Sequence, residues 1–250
     1  MPQQILELDP NNGDTYLHTD YDDLKVETFT TCNQDGGFSL EANISTSKTL
    51  LFSCGQISRE TEKECNKLVD LFQNKSVYPT FATGEPIPEE TVRESYLYKS
   101  KLWKSNYPYS MFIIEDQKDG SFVGRIVMED CDPHPLTGQP LPGYAEVGLA
   151  LTGEKQNQGF GSQAITAITY AWAPYVANQG YKVNGESLTH LWATAHPDNA
   201  TSKIFPNAGY GIVNTFDHPK YKKPRNEYII DVKTATEIRD RSERKNLKYK

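Results

Sequence analysis

Between Tyr144 and Ala173 the sequence reads YAEVGLALTGEKQNQGFGSQAITAITYAWA, and this stretch limits the fold more than any other. Val147, Leu149 and Leu151 alternate with partners, and Ala150 keeps the run unbroken, the pattern of a buried strand. After Ser162 the apolar positions Ile165, Ile168 and Trp172 recur at helical spacing, with Ala164, Ala167 and Ala171 filling in. Between strand and helix, Gln158-Gly159-Phe160-Gly161 brings bare backbone N–H groups close together, because glycine has no Cβ to block a ligand. Those amides lie at the positive end of a helix dipole, which is an anion site in waiting. The sequence predicts a phosphate-holding turn. A glycine pair taken alone is weak, since an ordinary strand-to-helix turn also uses one.

The rest of the chain supplies a scaffold of alternating type. The 250 residues, 37% hydrophobic and 24% charged, suit one globular domain with additions, or at most two small ones. A net charge of -7 argues against a nucleic-acid groove. Four scattered cysteines, Cys32, Cys54, Cys65 and Cys131, form no CxxC pair and suggest neither a zinc site nor a disulfide framework; no metal is expected, and a reducing cytoplasm is the favoured location. No basic-then-apolar leader and no run of 18 apolar residues is present, so no membrane segment is expected.

Residues 1–47 read as an irregular, β-leaning N-terminal extension. Ile5, Leu6 and Leu8 could form one short strand and Leu24, Val26 and Phe29 another, with turn chemistry at Asn11-Asn12-Gly13-Asp14 and Gln34-Asp35-Gly36-Gly37. Thr49 to Ser53 is the first core strand, a helix begins at Ser58, and a second starts near Pro88-Glu89-Glu90. Ser110 to Glu115 and Ser121 to Glu129 form a hairpin around Asp119-Gly120. Cys131 to Gly143, with four prolines, is a loop at the edge of the site. Leu188 to Ala195 is a strand; His196 to Phe205 holds a short helical piece stopped by Pro206. Gly209 to Val213 and Tyr228 to Val232 close the sheet. Residues 233–250 are a charged tail, a solvated helix or frayed end.

With these parts in order, residues 49 to 232 resemble the GNAT superfamily of N-acetyltransferases. They most resemble its branch of ribosomal-protein N-terminal alanine/serine acetyltransferases and their small-molecule relatives. The family's acetyl-CoA signature, Gln or Arg, two residues, Gly, one residue, Gly or Ala, is matched by Gln156-Asn157-Gln158-Gly159-Phe160-Gly161. Ala145-Glu146-Val147-Gly148 resembles the branch's acidic residue before a glycine. Asn199, Ser202 and Ala208-Gly209-Tyr210 resemble its Asn-x-x-Ser segment and terminal Gly-Phe/Tyr. The resemblance implies an α/β (α+β) domain over 48–232, with a mixed, centrally splayed β-sheet flanked by helices.

It also implies acetyl-CoA as cosubstrate and a primary amine as acceptor: a peptide N-terminus, a polyamine or an aminoglycoside-like compound. Neither nucleic acid nor membrane is an expected partner; a homodimer is left open. The diphosphate would lie on Gln156, Asn157, Gln158, Gly159, Phe160, Gly161 and Ser162. The pantetheine arm would follow Leu149, Ala150 and Leu151 with Asn199 as a hydrogen-bond partner, and the N–H near Leu149 would polarise the thioester. Glu146 is the expected general base and Ser202 a donor to the leaving thiolate. A bland reading stands beside each: a strand carboxylate bonded locally, and a helix-start hydroxyl bonded to its own turn. His196 is a weaker base candidate.

One departure matters. Ser202 to Gly209 is one residue shorter than the family's spacing, and Pro206 falls where many members place a tyrosine acid. That shortfall, with the added 47 residues, also suits a non-catalytic acetyl-CoA-binding or protein-interaction module. A dinucleotide site is a poorer fit, because Gly153 to Gln158 separate the strand from the Gly159-Phe160-Gly161 run.

Overall fold

The computed structural model describes residues 17–21, 24–32 and 37–247. The strand expected around Ile5, Leu6 and Leu8, the turn at 11–14 and most of the turn at 34–37 lie outside the described residues. The elements in order are β1 (Leu17–Tyr21), β2 (Leu24–Cys32), β3 (Phe38–Ser45), β4 (Thr49–Ser53), α1 (Thr61–Gln73), α2 (Glu89–Lys104), β5 (Met111–Asp116), β6 (Phe122–Asp130) and β7 (Tyr144–Leu151). Then come α3 (Phe160–Ala167), α4 (Ala173–Asn178), a small hairpin β8 (Lys182–Val183) and β9 (Glu186–Ser187), β10 (His190–Ala195), α5 (Thr201–Asn207), β11 (Gly211–His218), β12 (Lys223–Asp231) and α6 (Val232–Leu247).

Ten strands form one sheet in the order β1-β2-β3-β4-β5-β6-β7-β10-β12-β11. Helices flank it, and the mixed, splayed α/β architecture agrees with expectation. The region read as irregular is regular where it is described: β1, β2 and β3 add an antiparallel meander to β4, with Val26↔Ile44 and Ile44↔Leu51 in register. Leu24, Val26, Leu40, Ala42 and Ile44 are buried there, so one face of the addition belongs to the common core. The alternation was muted by the threonines at 28, 30 and 31, which are good strand formers with little apolar signal.

β5 (MFIIED) has four consecutive buried residues, as a strand covered on both faces requires. Trp172 is fully buried against Phe112 at 5.3 Å, Trp103 at 5.7 Å and Tyr175 at 5.1 Å between ring centroids. The helix after β7 opens at Phe160, widens into a π turn over Ile168–Trp172 and continues as α4. Pro174 explains the widening: it lacks the N–H that would close a regular turn, and the Ala173 N–H bonds back to the Ile168 carbonyl instead.

α5 runs one residue past Pro206 rather than stopping before it. The proline leaves the Ser202 carbonyl without its helical donor, and the Tyr228 hydroxyl supplies one at 3.0 Å. Within the charged tail, 232–247 forms α6, anchored by the buried side chains of Val232 and Ala235. Among the described residues, no helix is long and apolar enough to cross a membrane.

Candidate active site

The site begins where β7 and β10 part. The two strands pair in parallel over only three residues, His190↔Tyr144, Leu191↔Ala145 and Trp192↔Glu146. Beyond that point β10 stays paired with β12 through Ala195↔Asn226, and β7 with β6 through Gly124↔Leu151. Val147 to Leu151 therefore has a free edge. The Thr152 N–H bonds the Val123 carbonyl at 2.9 Å, so even-numbered residues of this end of β7 address β6. Strict alternation then turns the N–H of Leu149 and the carbonyl of Leu151 toward the gap. The Leu151 carbonyl is met there by Gln156 Nε2 at 3.1 Å.

On one side of the gap lies a cleft of about 350 Å³, lined by Leu149, Ala150, Leu151, Gln156, Asn157, Gly159, Gly161, Ser162 and Asn199, together with Val77, Phe81, Ala200, Thr201, Lys203 and Ile204. Of the eleven cofactor residues expected from sequence, only Gln158 and Phe160 do not line it. The turn rests on Asn157 at φ 57° and Gly159 at φ 85°, the left-handed region that asparagine and glycine tolerate. The first helical bond is from the Gln163 N–H to the Gly159 carbonyl, which leaves the N–H groups of Phe160, Gly161 and Ser162 without an acceptor among the described residues. A Cβ on Gly161 would stand 2.9 Å from Ile204 Cδ1 and 3.1 Å from Leu149 Cδ2, so the cradle is shaped around its absence. Two ammonium groups flank the turn: Lys48 donates to the Gln158 carbonyl and lies 4.5 Å over the Phe160 ring, and Lys155 lies 5.2 Å over that ring while paired with Asp116 at 2.9 Å. Free N–H groups, a helix dipole and nearby cations fit a diphosphate. Phe160 itself is buried core beneath the lysines.

On the other side lies a second cleft of about 200 Å³, whose walls include Arg125, Glu129, Glu146, Thr194, Tyr221 and Arg225. The two clefts share Phe81, Leu149, Asn199 and Thr201. They meet at the open edge of β7.

Glu146 is the central ionisable group of the second cleft. It accepts no hydrogen bond and forms no ion pair with the described residues, although the cleft leaves it partly open. Burial raises its pKa from the ordinary 4.5 to about 7. The next contribution is Glu129, directly across the β6–β7 ladder from it, and Lys220 and Arg125 oppose the rise. Glu129 is itself bound by Lys99 of α2. A carboxyl with a pKa near neutrality in a cleft is suited to proton transfer.

Ser202 lines neither cleft. Its side chain is buried and its hydroxyl donates to the Pro197 carbonyl at 2.7 Å. Asn199 does reach both clefts, and its Oδ1 accepts from the Thr201 N–H at 3.1 Å. The His196 ring lies outside both linings, with Nδ1 accepting from the Asp198 N–H at 3.2 Å. Pro206 is an exposed surface residue, and the Tyr210 hydroxyl is buried against Thr169 Oγ1 at 3.0 Å. The resemblance therefore finds no tyrosine acid at either position. Sequence reasoning missed Lys48, Lys203, Phe81, Arg125, Arg225 and Tyr221. Arg125 follows the glycine of an expected strand, Lys203 lies on the short helix α5, and the other four lie in turns or on an edge hairpin, where one sequence carries no signal of what they face.

A parted mixed sheet, with a helix-mouth anion site on one side of the gap and an ionisable cleft on the other, defines a coenzyme-A-type acyltransferase. The family model described as the Acetyltransferase (GNAT) domain matches residues 57–209, more than half of the chain, and the chain belongs to that family. It is by that membership an N-acetyltransferase. Among solved structures, the acetyltransferase (GNAT family) from Bacillus anthracis is 16% identical, with a TM-score of 0.55 over 76% of this chain and 99% of its own. RimL, the ribosomal L7/L12 alpha-N-protein acetyltransferase in complex with coenzyme A, is 16% identical, with a TM-score of 0.54 over 74% and 95%. An acetyltransferase from Agrobacterium tumefaciens is 15% identical, with a TM-score of 0.53 over 75% and 93%. Identities this low show the shared fold. In the search of curated proteins, none matches the chain.

Proposed function

We propose that the chain moves the acetyl group of acetyl-CoA to a primary amine, a peptide N-terminus or a small-molecule amine, by direct attack on the thioester. The observation that carries this reading is the meeting of the two clefts at the free edge of β7, with the anion turn in one and Glu146 in the other. The diphosphate is held by the N–H groups of Gly159 to Ser162, with Lys48, Lys155 and Lys203 adding positive charge. The pantetheine arm lies along Leu149 to Leu151 and reaches Asn199. The Leu149 N–H faces the gap and polarises the thioester carbonyl.

The acceptor approaches through the second cleft. Its ammonium has no lone pair and must lose a proton first; an α-amine with a pKa near 8 is well matched to a base near 7. Glu146 takes that proton, directly or through a water. The amine nitrogen then bonds to the acyl carbon, the C–S bond breaks, and the electron pair leaves on sulfur. The thiolate is protonated from solvent rather than by Ser202, whose hydroxyl is engaged within its own turn. Tyr221 serves as a hydrogen-bond donor, since burial and the nearby Glu146 raise its pKa above the ordinary value and make it a poor acid.

The test is release of free thiol from acetyl-CoA with a panel of N-terminal peptides and small amines. Amine-dependent thiol release that falls at least a hundredfold in Glu146→Gln, with coenzyme A still bound, is expected. Binding of coenzyme A with no thiol release from any acceptor would overturn the proposal.

A further inference from the structure

Two arginines in the second cleft have more hydrogen-bonding capacity than the protein uses. A guanidinium carries five N–H donors in a planar fork. Arg125, on β6, donates to none of the described residues; it lies over the rings of Phe72 at 5.0 Å and Phe81 at 5.7 Å. Arg225, on β12, is only 5% exposed and donates once, through Nη2, to the Ala82 carbonyl at 2.9 Å. Its plane sits 4.8 Å from the Tyr221 ring. The Nε atoms of both are fully buried without a partner. Burying a cation without a counter-charge costs several kcal/mol in an ordinary interior, on the order of the penalty for breaking a buried pair.

The cleft's own acids lift only part of that cost: Glu129 and Glu146 act on Arg125 through space and Glu146 on Arg225, but neither forms an ion pair with either guanidinium. Glu129 is taken by Lys99. Glu146 forms no ion pair, and pairing with either arginine would pull its pKa down and remove it as a base. Both arginines line the second cleft and neither lines the first, so the diphosphate is not their counter-ion. An anion on the other ligand would complete the counter-charge and take up the unused N–H donors that the cleft's carboxylates leave unpaired.

Resting on the acetyl-transfer reading above, we infer that the acceptor is an amine that carries a carboxylate, which Arg125 and Arg225 hold while the amine faces Glu146. Two planar forks beside aromatic rings suit a carboxylate, which accepts bidentate bonds. Polyamines and other polycations are disfavoured by the same pair of charges. In the ladder, Arg125 lies opposite Ala150, four residues from Glu146, and about 13 Å of strand separates the two positions at roughly 3.3 Å per residue. Carboxylate and amine therefore sit apart on the acceptor, as in a peptide with an acidic side chain near its N-terminus.

The experiment measures kcat/KM of the full chain for short peptides with one glutamate walked through the first three positions. Matched glutamine peptides and spermidine complete the panel. At least one glutamate peptide exceeds its glutamine counterpart by tenfold or more. Arg125→Gln and Arg225→Gln bring that ratio close to one with coenzyme A affinity within twofold. Ratios at or below one at every position, or spermidine as the best acceptor, overturn the inference while leaving acetyl transfer standing. Variants that keep the preference overturn it as well. No thiol release from any acceptor, with coenzyme A bound, overturns both. The wild-type ratios decide the matter even if Arg225→Gln fails to fold.

Discussion

Glu146→Gln should stabilise the protein as it disables it, and the gain should depend on pH in a defined way. The folded-state pKa of about 7 lies above the ordinary 4.5 expected in the unfolded chain. Between those values the folded state keeps a proton that the unfolded state has released. Stability therefore falls as pH rises through that window, and the loss is complete once the folded-state pKa is passed. At about 1.36 kcal/mol per pH unit, the interval from 4.5 to about 7 bounds the loss at roughly 3 kcal/mol, less whatever water in the open cleft recovers. Glutamine has the same shape and cannot ionise, so the variant lacks this slope. Urea denaturation of both proteins at pH 4.5 and at pH 8 measures it. The variant's advantage should grow by 1–3 kcal/mol between the two pH values, while amine-dependent thiol release drops a hundredfold or more. A stability difference that does not change with pH would refute the placement of an uncompensated carboxyl in this cleft.

Glu129→Gln removes the facing charge and frees Lys99, and both changes favour ionised Glu146. The acidic limb of the pH–rate profile should move to lower pH, measured as kcat/KM across pH 5 to 9; an unmoved limb would separate that limb from Glu146. Gly161→Glu should raise the coenzyme A dissociation constant at least a hundredfold by calorimetry. The new Cβ meets only the ends of Ile204, Leu149 and Leu151, so the melting temperature should stay within a few degrees, and unchanged affinity would misplace the diphosphate. Ser202→Ala should lose about 1 kcal/mol with its bond to the Pro197 carbonyl and keep kcat within threefold. A hundredfold loss of kcat in a folded variant would return Ser202 to the chemistry.

The central unit was legible in the sequence because its signals are local. Strand alternation, the closely spaced Gly159 and Gly161, and helical spacing after Ser162 each act over a few residues, so one stretch specified the turn and the cleft wall. The edge meander was less legible, since threonine-rich strands with a half-covered face lack a strong apolar period. Pro206 was read by the usual rule for helix ends, and the rule lost to a tertiary contact: the Tyr228 hydroxyl satisfies the carbonyl the proline leaves open. The second cleft was the least visible. Its walls come from β6, β7, β10, β12, the start of α5, Tyr221 and the Phe81-Ala82 segment, far apart in the chain and brought together by sheet register and tertiary packing.

That same register gives Glu146 a setting that an ordinary strand carboxylate lacks, and the proposed role as base depends on it. Cross-strand pairing sets Glu129 beside it, and the parting of β7 from β10 begins at the next residue, so the carboxyl stands at the last paired position before the gap. One residue earlier it would face the opposite side of the sheet, because side chains alternate. Two residues later it would occupy the Gly148 position, where even a Cβ comes within 3.0 Å of Val127 Cγ2. The position thus sets a carboxyl of near-neutral pKa in the second cleft at the mouth of the gap, the setting that its proposed role as base requires.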